Sequence, residues 1–135
     1  GDWISNAELR RYYSSAAIVL NDHWQDMRDE GFFSNRLYDA LASGAFVVSD
    51  HVPGIEEEFD NGLVTYRRKD ELIAVLDRYL ADPEARRDVA RRGRAAVLSR
   101  HTFGHRAETI LDAAKALLAE QATAVSVGPT PARLD

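Results

Sequence analysis

The chain has no cysteine, which excludes disulfide bonds, thiolate metal sites and cysteine nucleophiles. It also lacks a long apolar run. Even the longest runs, such as Ala16–Leu20, have only the length of a strand and fall far short of the roughly 20 residues that span a bilayer. No basic region followed by an apolar one stands at the N-terminus, as a secretory signal would require. We therefore expect a cytoplasmic protein, with membrane-peripheral placement of a longer parent chain left open.

The composition is that of a globular domain. The 135 residues are 45% hydrophobic and 29% charged, with a net charge of −5, which argues against a disordered chain. Between Pro83 and Arg106, seven arginines face two acidic residues, so this segment is +5 and the remainder is −10. Because the acidic remainder would repel a polyanion, we predict a solvated helix face and no nucleic-acid partner. Interdomain or lipid contact is the alternative for this segment.

Hydrophobic periodicity divides the chain into alternating helices and short buried strands. The predicted strands are residues 16–20, 45–49 and 63–66, and the predicted helices are 5–13, 35–43, 55–59, one from about 69, 83–100 and 104–120. This alternation predicts the α/β class, a three-layer Rossmann-like parallel sheet with a helix-rich C-terminus. Three strands make a narrow sheet, so we expect the second half of a larger doubly wound domain, or a partner that completes the sheet.

One loop of this predicted fold is a candidate ligand site. Ligands of doubly wound sheets bind at the carboxyl ends of strands, often against helix N-termini. The loop after the first strand is long and ends at Ser34, Asn35 and Arg36, where a hydroxyl, backbone amides and a positive charge can bind an anion. Asp39, one turn further, can accept hydrogen bonds from a vicinal diol, so the set fits a nucleotide. The same residues also fit a plain helix cap and a spaced charge pair.

The segment Glu30–Ser49, EGFFSNRLYDALASGAFVVS, resembles the donor-binding signature of the group 1 family of GT-B glycosyltransferases. Within that family it is most similar to the branch of the spore-maturation CgeB-like proteins. Weaker similarity extends over about residues 4–118, including Asp82-Pro83-Glu84 and His101-Thr102-Phe103. The resemblance implies transfer of a sugar from a nucleotide-diphosphate sugar to an acceptor, with no metal or other cofactor.

The resemblance also implies a domain organisation. Residues 1–120 would be the later part of the C-terminal, donor-binding domain, and residues 121–135 a flexible tail. The acceptor domain would lie outside this chain and be its partner, and exposed apolar faces would allow a homo-oligomer. We expect such a fragment to be inactive by itself.

The family's functional residues map onto named positions. Asp39 matches the second acid of a paired-acid motif and would bind the donor ribose, with Asp in place of the usual Glu. Ser34, Asn35 and Arg36 match the turn that holds the donor diphosphate. Glu30 matches the first acid, which contacts the donor sugar, and is the tentative catalytic residue. Eight residues separate Glu30 from Asp39 where the family has seven, so either the loop has one extra residue or this contact is missing.

Other histidines and acids have plainer interpretations. His101 and His105 have the spacing of metal ligands, but a helix boundary lies between them and no third ligand is obvious, so we predict no metal site. The acids between residues 22 and 30 lack the ligand order of a calcium loop. His23, Asp50-His51 and the acids 56–58 are either surface groups or ligand contacts.

The chief rival function is a non-catalytic α/β module. A response-regulator-like domain would use acids at strand ends, as Asp22 and Asp50 would provide, but has no use for the Ser34-Asn35-Arg36 helix start. A degenerate transferase domain would keep the fold and bind only a partner, and it would tolerate loss of the Asp39 carboxylate.

Overall fold

The three short apolar runs form one parallel sheet in a computed structural model that describes residues 3–126, with side chains from 3 to 121. Strands β1 (Val19–Asn21), β2 (Val47–Asp50) and β3 (Val64–Tyr66) pair in the order β1-β2-β3. Asn21 lies opposite Ser49 and Asp50 opposite Tyr66. The carboxyl ends of all three strands therefore meet at one edge of the sheet.

Helices occupy most of the remaining described chain. Their bounds are α1 (Asn6–Ser15), α2 (Gln25–Asp29), α3 (Asn35–Ala42), α4 (Ile55–Glu58), α5 (Lys69–Ala81), α6 (Pro83–Arg100) and α7 (Phe103–Ser126). The start of α6 is as predicted, because Asp82 Oδ1 accepts from the N–H groups of Glu84 at 3.1 Å and Ala85 at 2.9 Å while Pro83 takes the first helical position. No helix in the described part of the chain is both long and apolar enough to cross a membrane.

Two apolar clusters lie on the two faces of the sheet, because successive strand residues point in opposite directions. Val47 packs with Leu37 and Leu41 of α3 and Val97 of α6. Its neighbour Val48 packs in a second cluster of buried residues, with Phe46, Tyr79, Val89 and Ala90. Helices cover both faces, which confirms the predicted α/β class with a small parallel sheet.

The strands begin later than predicted. Ala16 ends α1, where its N–H donates to Tyr12 O at 3.2 Å, so the first half of the predicted strand is helix cap and connection. The N–H of Ala45 likewise donates to Ala40 O at 3.0 Å, so Ala45 belongs to the turn that closes the C-terminal end of α3. The apolar character of a run predicts that its residues are buried. It does not predict where strand pairing starts, because the end of the preceding helix determines that residue.

A close backbone contact joins the turn before β3 to α6. A Cβ added to Gly93 would overlap the Gly62 carbonyl oxygen, and one added to Gly62 would overlap the Gly93 Cα. Both positions therefore need glycine because they have no room for a side chain, although neither has a positive φ.

The arginines of α6 also bond to neighbouring backbone. Arg92 Nε donates to Asn61 O at 3.4 Å, Arg94 Nε to Ala42 O at 3.2 Å, and Arg100 Nη2 to Glu58 O at 2.9 Å. Part of the basic segment thus fastens α6 to the turns that it crosses.

The chain divides into two compact units, with the boundary between His101 and Thr102. The second unit is built on α7, which begins one residue before the predicted helix and continues to Ser126. The predicted tail from residue 121 therefore starts within helix, and its residues 127–135 lie outside the described part.

Candidate functional site

A buried histidine, His23, joins the ends of two neighbouring strands. It lies two residues after β1, and its Nδ1 is 2.6 Å from Asp50 Oδ1 at the end of β2. Its backbone N–H donates to Asp50 Oδ2 at 3.2 Å. The imidazole is fully buried and the Asp50 side chain is 11% exposed. An ionised carboxylate only accepts hydrogen bonds, so Nδ1 of His23 must hold the proton.

The other ring nitrogen of His23 is an acceptor. The backbone N–H of Ser34 donates to His23 Nε2 at 3.0 Å. With a proton on Nδ1 and none on Nε2, both hydrogen bonds of the neutral ring are satisfied. The histidine thereby fixes the backbone of Ser34 immediately before α3.

Arg28 completes this network from α2. Its Nη1 donates to Asp50 Oδ2 at 3.0 Å and to His23 O at 2.7 Å. Burial alone would raise the pKa of Asp50, but hydrogen bonds from His23 and Arg28 outweigh it and keep that pKa below its usual value. Asp50 is therefore a carboxylate at neutral pH.

Ser49 and Asn21, which lie on the neighbouring strands β2 and β1, extend the hydrogen-bond network from Asp50 into the sheet. Asn21 Nδ2 donates to Ser49 Oγ at 3.0 Å, and Ser49 Oγ donates to Asp50 Oδ1 at 3.3 Å. Asn21 Oδ1 is buried and has no hydrogen-bond partner among the described residues. The buried edge of the sheet is thus polar, with one acceptor still open.

Ser34 is the N-cap of α3, as its position predicts. Its Oγ accepts from the N–H of Arg36 at 3.3 Å, and its carbonyl oxygen accepts from the N–H of Leu37 at 3.0 Å. The expectation of several free amides at this helix start is therefore wrong in part, because the cap occupies the Arg36 amide. Within the described residues, the Asn35 N–H is the amide of this first turn that has no acceptor.

The predicted site side chains remain available to a ligand. Asn35, Arg36 and Asp39 are exposed, and their side chains make no hydrogen bond or ion pair with any residue that the structure describes. Glu30 ends α2, and its exposed side chain is similarly unengaged there. Gly31 follows with φ of 70°, a left-handed conformation that reverses the chain toward α3.

A second histidine–carboxylate network lies beside the first, at the ends of β2 and β3. His51 Nδ1 is 3.1 Å from Glu56 Oε1, which also accepts from Thr65 Oγ1 at 2.6 Å, and Arg67 Nη2 is 2.7 Å from His51 Nε2. The His51 and Glu56 side chains are 21% and 29% exposed. Burial by itself raises the pKa of Glu56. Hydrogen bonds from Thr65, from its own backbone and from His51 outweigh this effect, so the pKa of Glu56 lies below its usual value.

Three further candidates, His101, His105 and Asp29, have structural partners. His101 Nδ1 lies 3.5 Å from Glu58 Oε1, whereas His105 Nδ1 lies 2.7 Å from Thr102 Oγ1 in the other unit. Among the described residues, no group of three or more histidines and acids can hold a metal ion. Asp29 accepts from Gln25 Nε2 at 2.8 Å on the surface of α2.

Sequence reasoning missed Arg28 and the pairing of His23 with Asp50. Arg28 lies in α2, a five-residue helix with no apolar periodicity inside a segment predicted as loop. The pair did have a signal, because His23 and Asp50 follow two runs predicted to be strands, and parallel neighbours end at the same edge.

The parallel sheet and its covering helices define an α/β domain, and the cap of α3 with the free polar side chains beside it is the candidate ligand site. A model of the family described as glycosyl transferase-like matches residues 1–112, and the chain belongs to that family. A search of curated proteins finds no match, and a search of solved structures finds none either. The finer placement in group 1 GT-B enzymes and in the CgeB-like branch stays a prediction.

Proposed function

We propose that this chain is the donor-binding part of a GT-B glycosyltransferase and binds a nucleotide-diphosphate sugar at the start of α3. Family membership over residues 1–112 supports transfer of a sugar. The observation that carries the site is the set of exposed, unengaged side chains of Asn35, Arg36 and Asp39 beside the carboxyl ends of β1 and β2. The acceptor is held by protein outside this chain.

Each residue has a role that follows from its chemistry. The Arg36 guanidinium binds the donor diphosphate and stabilises the charge that develops on it as the sugar departs. Ser34 Oγ accepts from the Arg36 N–H, so its hydroxyl proton is free to donate to a phosphate oxygen, next to the free Asn35 N–H. Arg36 and Asp39 are three residues apart and share one side of α3, so Asp39 can bind the ribose diol of the same ligand.

Glu30 has a separate role in this proposal. Its exposed carboxylate at the end of α2 contacts the donor sugar, across the turn that Gly31 makes toward Ser34. No metal takes part, because the arginine and the helix start supply the positive charge that the diphosphate needs.

The rival function is that of a response-regulator-like domain, in which an aspartate at a strand end receives a phosphoryl group. Asp50 has no free carboxylate oxygen for this reaction. Both carboxylate oxygens of Asp50 already bond to His23 and Arg28, and the side chain is nearly buried. A phosphoryl group could reach this aspartate only if the network opened.

Isothermal titration of the chain with UDP, GDP, UDP-glucose and uridine tests the proposal. We expect Arg36→Ala to weaken UDP binding at least about tenfold, since a charged hydrogen bond to phosphate is lost, and to leave uridine binding unchanged. Asp39→Ala should weaken UDP and uridine by the same factor. Asp77→Ala, an exposed aspartate on α5, is the matched control.

Two outcomes would contradict this function. One is a wild-type chain that is folded by circular dichroism and binds none of the nucleotides. The other is nucleotide binding that Asp39→Ala and Arg36→Ala leave at the wild-type affinity, because the ligand would then lie elsewhere.

A further inference from the structure

We propose that His23 is a positioning residue of the donor site, which holds Ser34 in place through a bare ring nitrogen and releases it when the ring gains a second proton. The effect on donor binding rests on the proposed function. The hydrogen bond and its loss on protonation can be tested without it.

The geometry gives His23 no direct path to a ligand. Its side chain is fully buried, and both ring nitrogens are occupied, by Asp50 at 2.6 Å and by the Ser34 N–H at 3.0 Å. The interpretation of His23 as a ligand contact is therefore replaced by an indirect role. The ring links Asp50, at the end of β2, to Ser34, the residue that caps α3, so the position of Ser34 depends on that of Asp50.

The chain of contacts reaches the proposed diphosphate residue. His23 Nε2 fixes the Ser34 backbone, and Ser34 Oγ in turn accepts from the Arg36 N–H at 3.3 Å. The direction in which α3 begins, and with it the position of Arg36 in the first turn, therefore depends on Ser34. Because a charge on a flexible side chain binds best when its backbone is fixed, loss of the Ser34 anchor weakens diphosphate binding.

A second proton on the His23 ring breaks the hydrogen bond from the Ser34 N–H to His23 Nε2. The proton would sit on Nε2, so two N–H groups would face each other where one now accepts. Water cannot replace the lost acceptor easily, since the imidazole is fully buried. The Ser34 N–H must then move away from the ring.

The groups around the ring act in opposite directions. Asp50 on β2 favours a charged imidazole, whereas Arg28 on α2 disfavours it and already shares the charge of Asp50. On β3, burial together with the charges of Asp50 and Asp22 raises the pKa of Tyr66, so Tyr66 stays neutral at neutral and acidic pH. Ser34, at the start of α3, presents only its N–H donor.

Three chains separate this role from simple packing: the wild type, His23→Gln and His23→Asn. Glutamine can place an uncharged acceptor near the position of Nε2, whereas asparagine is too short to reach Ser34. Binding of UDP-glucose is measured by calorimetric titration at a series of pH values from about pH 8 downward, as far as circular dichroism shows a folded chain. Spectra of the same chain report at each pH whether Nε2 of His23 holds a proton. UDP-glucose is used because its diphosphate is a diester and stays ionised over this range.

The wild type should bind about tenfold more weakly at the pH values where Nε2 holds a proton, the cost of one buried donor left without an acceptor. A ring that gains no proton before the chain unfolds would overturn the proposed release. His23→Gln should match the wild type near pH 8 and show no loss on acidification. His23→Asn should be weak throughout, again without a pH step. His51→Gln, which changes the partly buried histidine of the second network, should keep the wild-type profile.

Nitrogen-15 spectra of the free chain decide the hydrogen bond itself. We expect His23 to have a proton on Nδ1 and a bare Nε2 near pH 8, and the Ser34 amide signal to shift as Nε2 gains its proton. A proton on Nε2 near pH 8, or a Ser34 signal that ignores His23, would overturn the proposal. So would a pH step that persists in His23→Gln. If the folded wild type binds no UDP-glucose, the proposed function fails, and the spectra still decide the role of His23.

Discussion

Two histidine–carboxylate–arginine networks lie side by side at the carboxyl edge of the sheet, and they differ in burial. In the first network, Asp50 and Arg28 lie beside the fully buried ring of His23. The second network has the same three residue types, His51, Glu56 and Arg67, but the side chains of its histidine and its acid are 21% and 29% exposed. In both, a carboxylate faces Nδ1 and the Nε2 atom faces an N–H donor. The donor differs: it is a backbone N–H in the first network and an exposed arginine side chain in the second.

This difference indicates what each network can control. A backbone N–H cannot leave His23 without moving the start of α3, so a change in the buried network alters the helix. The Arg67 guanidinium can leave His51 and be replaced by water, because Arg67 is exposed. We expect the buried network to set stability and site geometry, and the exposed one to contribute little to either.

The largest expected effect is that of Asp50→Ala. The change leaves the His23 Nδ1–H and one Arg28 donor without their acceptor in a nearly buried place, so the free energy of unfolding should fall by about 3 kcal/mol. Urea denaturation followed by circular dichroism measures it, with Asp77→Ala as the exposed control. A loss no larger than that of the control would show that the network does not stabilise the fold.

A smaller effect concerns acid. The folded-state pKa of Asp50 lies below its ordinary value, so its stabilisation is fully present above about pH 4 and is lost as pH falls through the lowered folded value. In the otherwise unchanged chain, which keeps the His23 and Arg28 hydrogen bonds that lower the pKa of Asp50, Asp50→Asn should cost about 2 kcal/mol at neutral pH. The same cost should shrink below about pH 4.

Denaturation curves at several pH values check this expectation. A cost of Asp50→Asn that is unchanged between neutral pH and about pH 3 would mean that the carboxylate has no lowered pKa in the folded chain.

The smallest effect is expected in the exposed network. Glu56→Ala removes the acceptor of His51 and Thr65, but water can solvate both groups, so the free energy of unfolding should fall by only about 1 kcal/mol. The same denaturation assay measures it. A cost equal to that of Asp50→Ala would erase the distinction between the two networks.

Much of the fold can be predicted from local patterns. The Asp82-Pro83 start of α6, the Ser34 cap and the three apolar runs each have a short-range physical cause, and each is found in the structure. The strand starts cannot be predicted so well, because the caps of α1 and α3 take the first residues of two apolar runs. The short helix α2 has no apolar stripe and depends on the Arg28 contacts that it makes with His23 and Asp50.

The candidate site divides in the same way. Ser34, Asn35, Arg36 and Asp39 are adjacent along the sequence and could be named from it as candidates. The network beneath them depends on the β1-β2 pairing, which brings His23 to Asp50 across 27 positions. Only the sheet topology reveals that this pair holds Ser34.

The contact between Gly62 and Gly93 means that the residue allowed at one position depends on the residue at the other, although the two are far apart in the sequence. Neither can be enlarged, and no second change compensates, since both already have the smallest residue. A chimera that takes α6 from a relative therefore needs glycine at both places. Sequence divergence should instead accumulate on the outer face of α6, at exposed positions such as Arg87, and not at Gly93 or at the arginines beside it that bond to neighbouring turns.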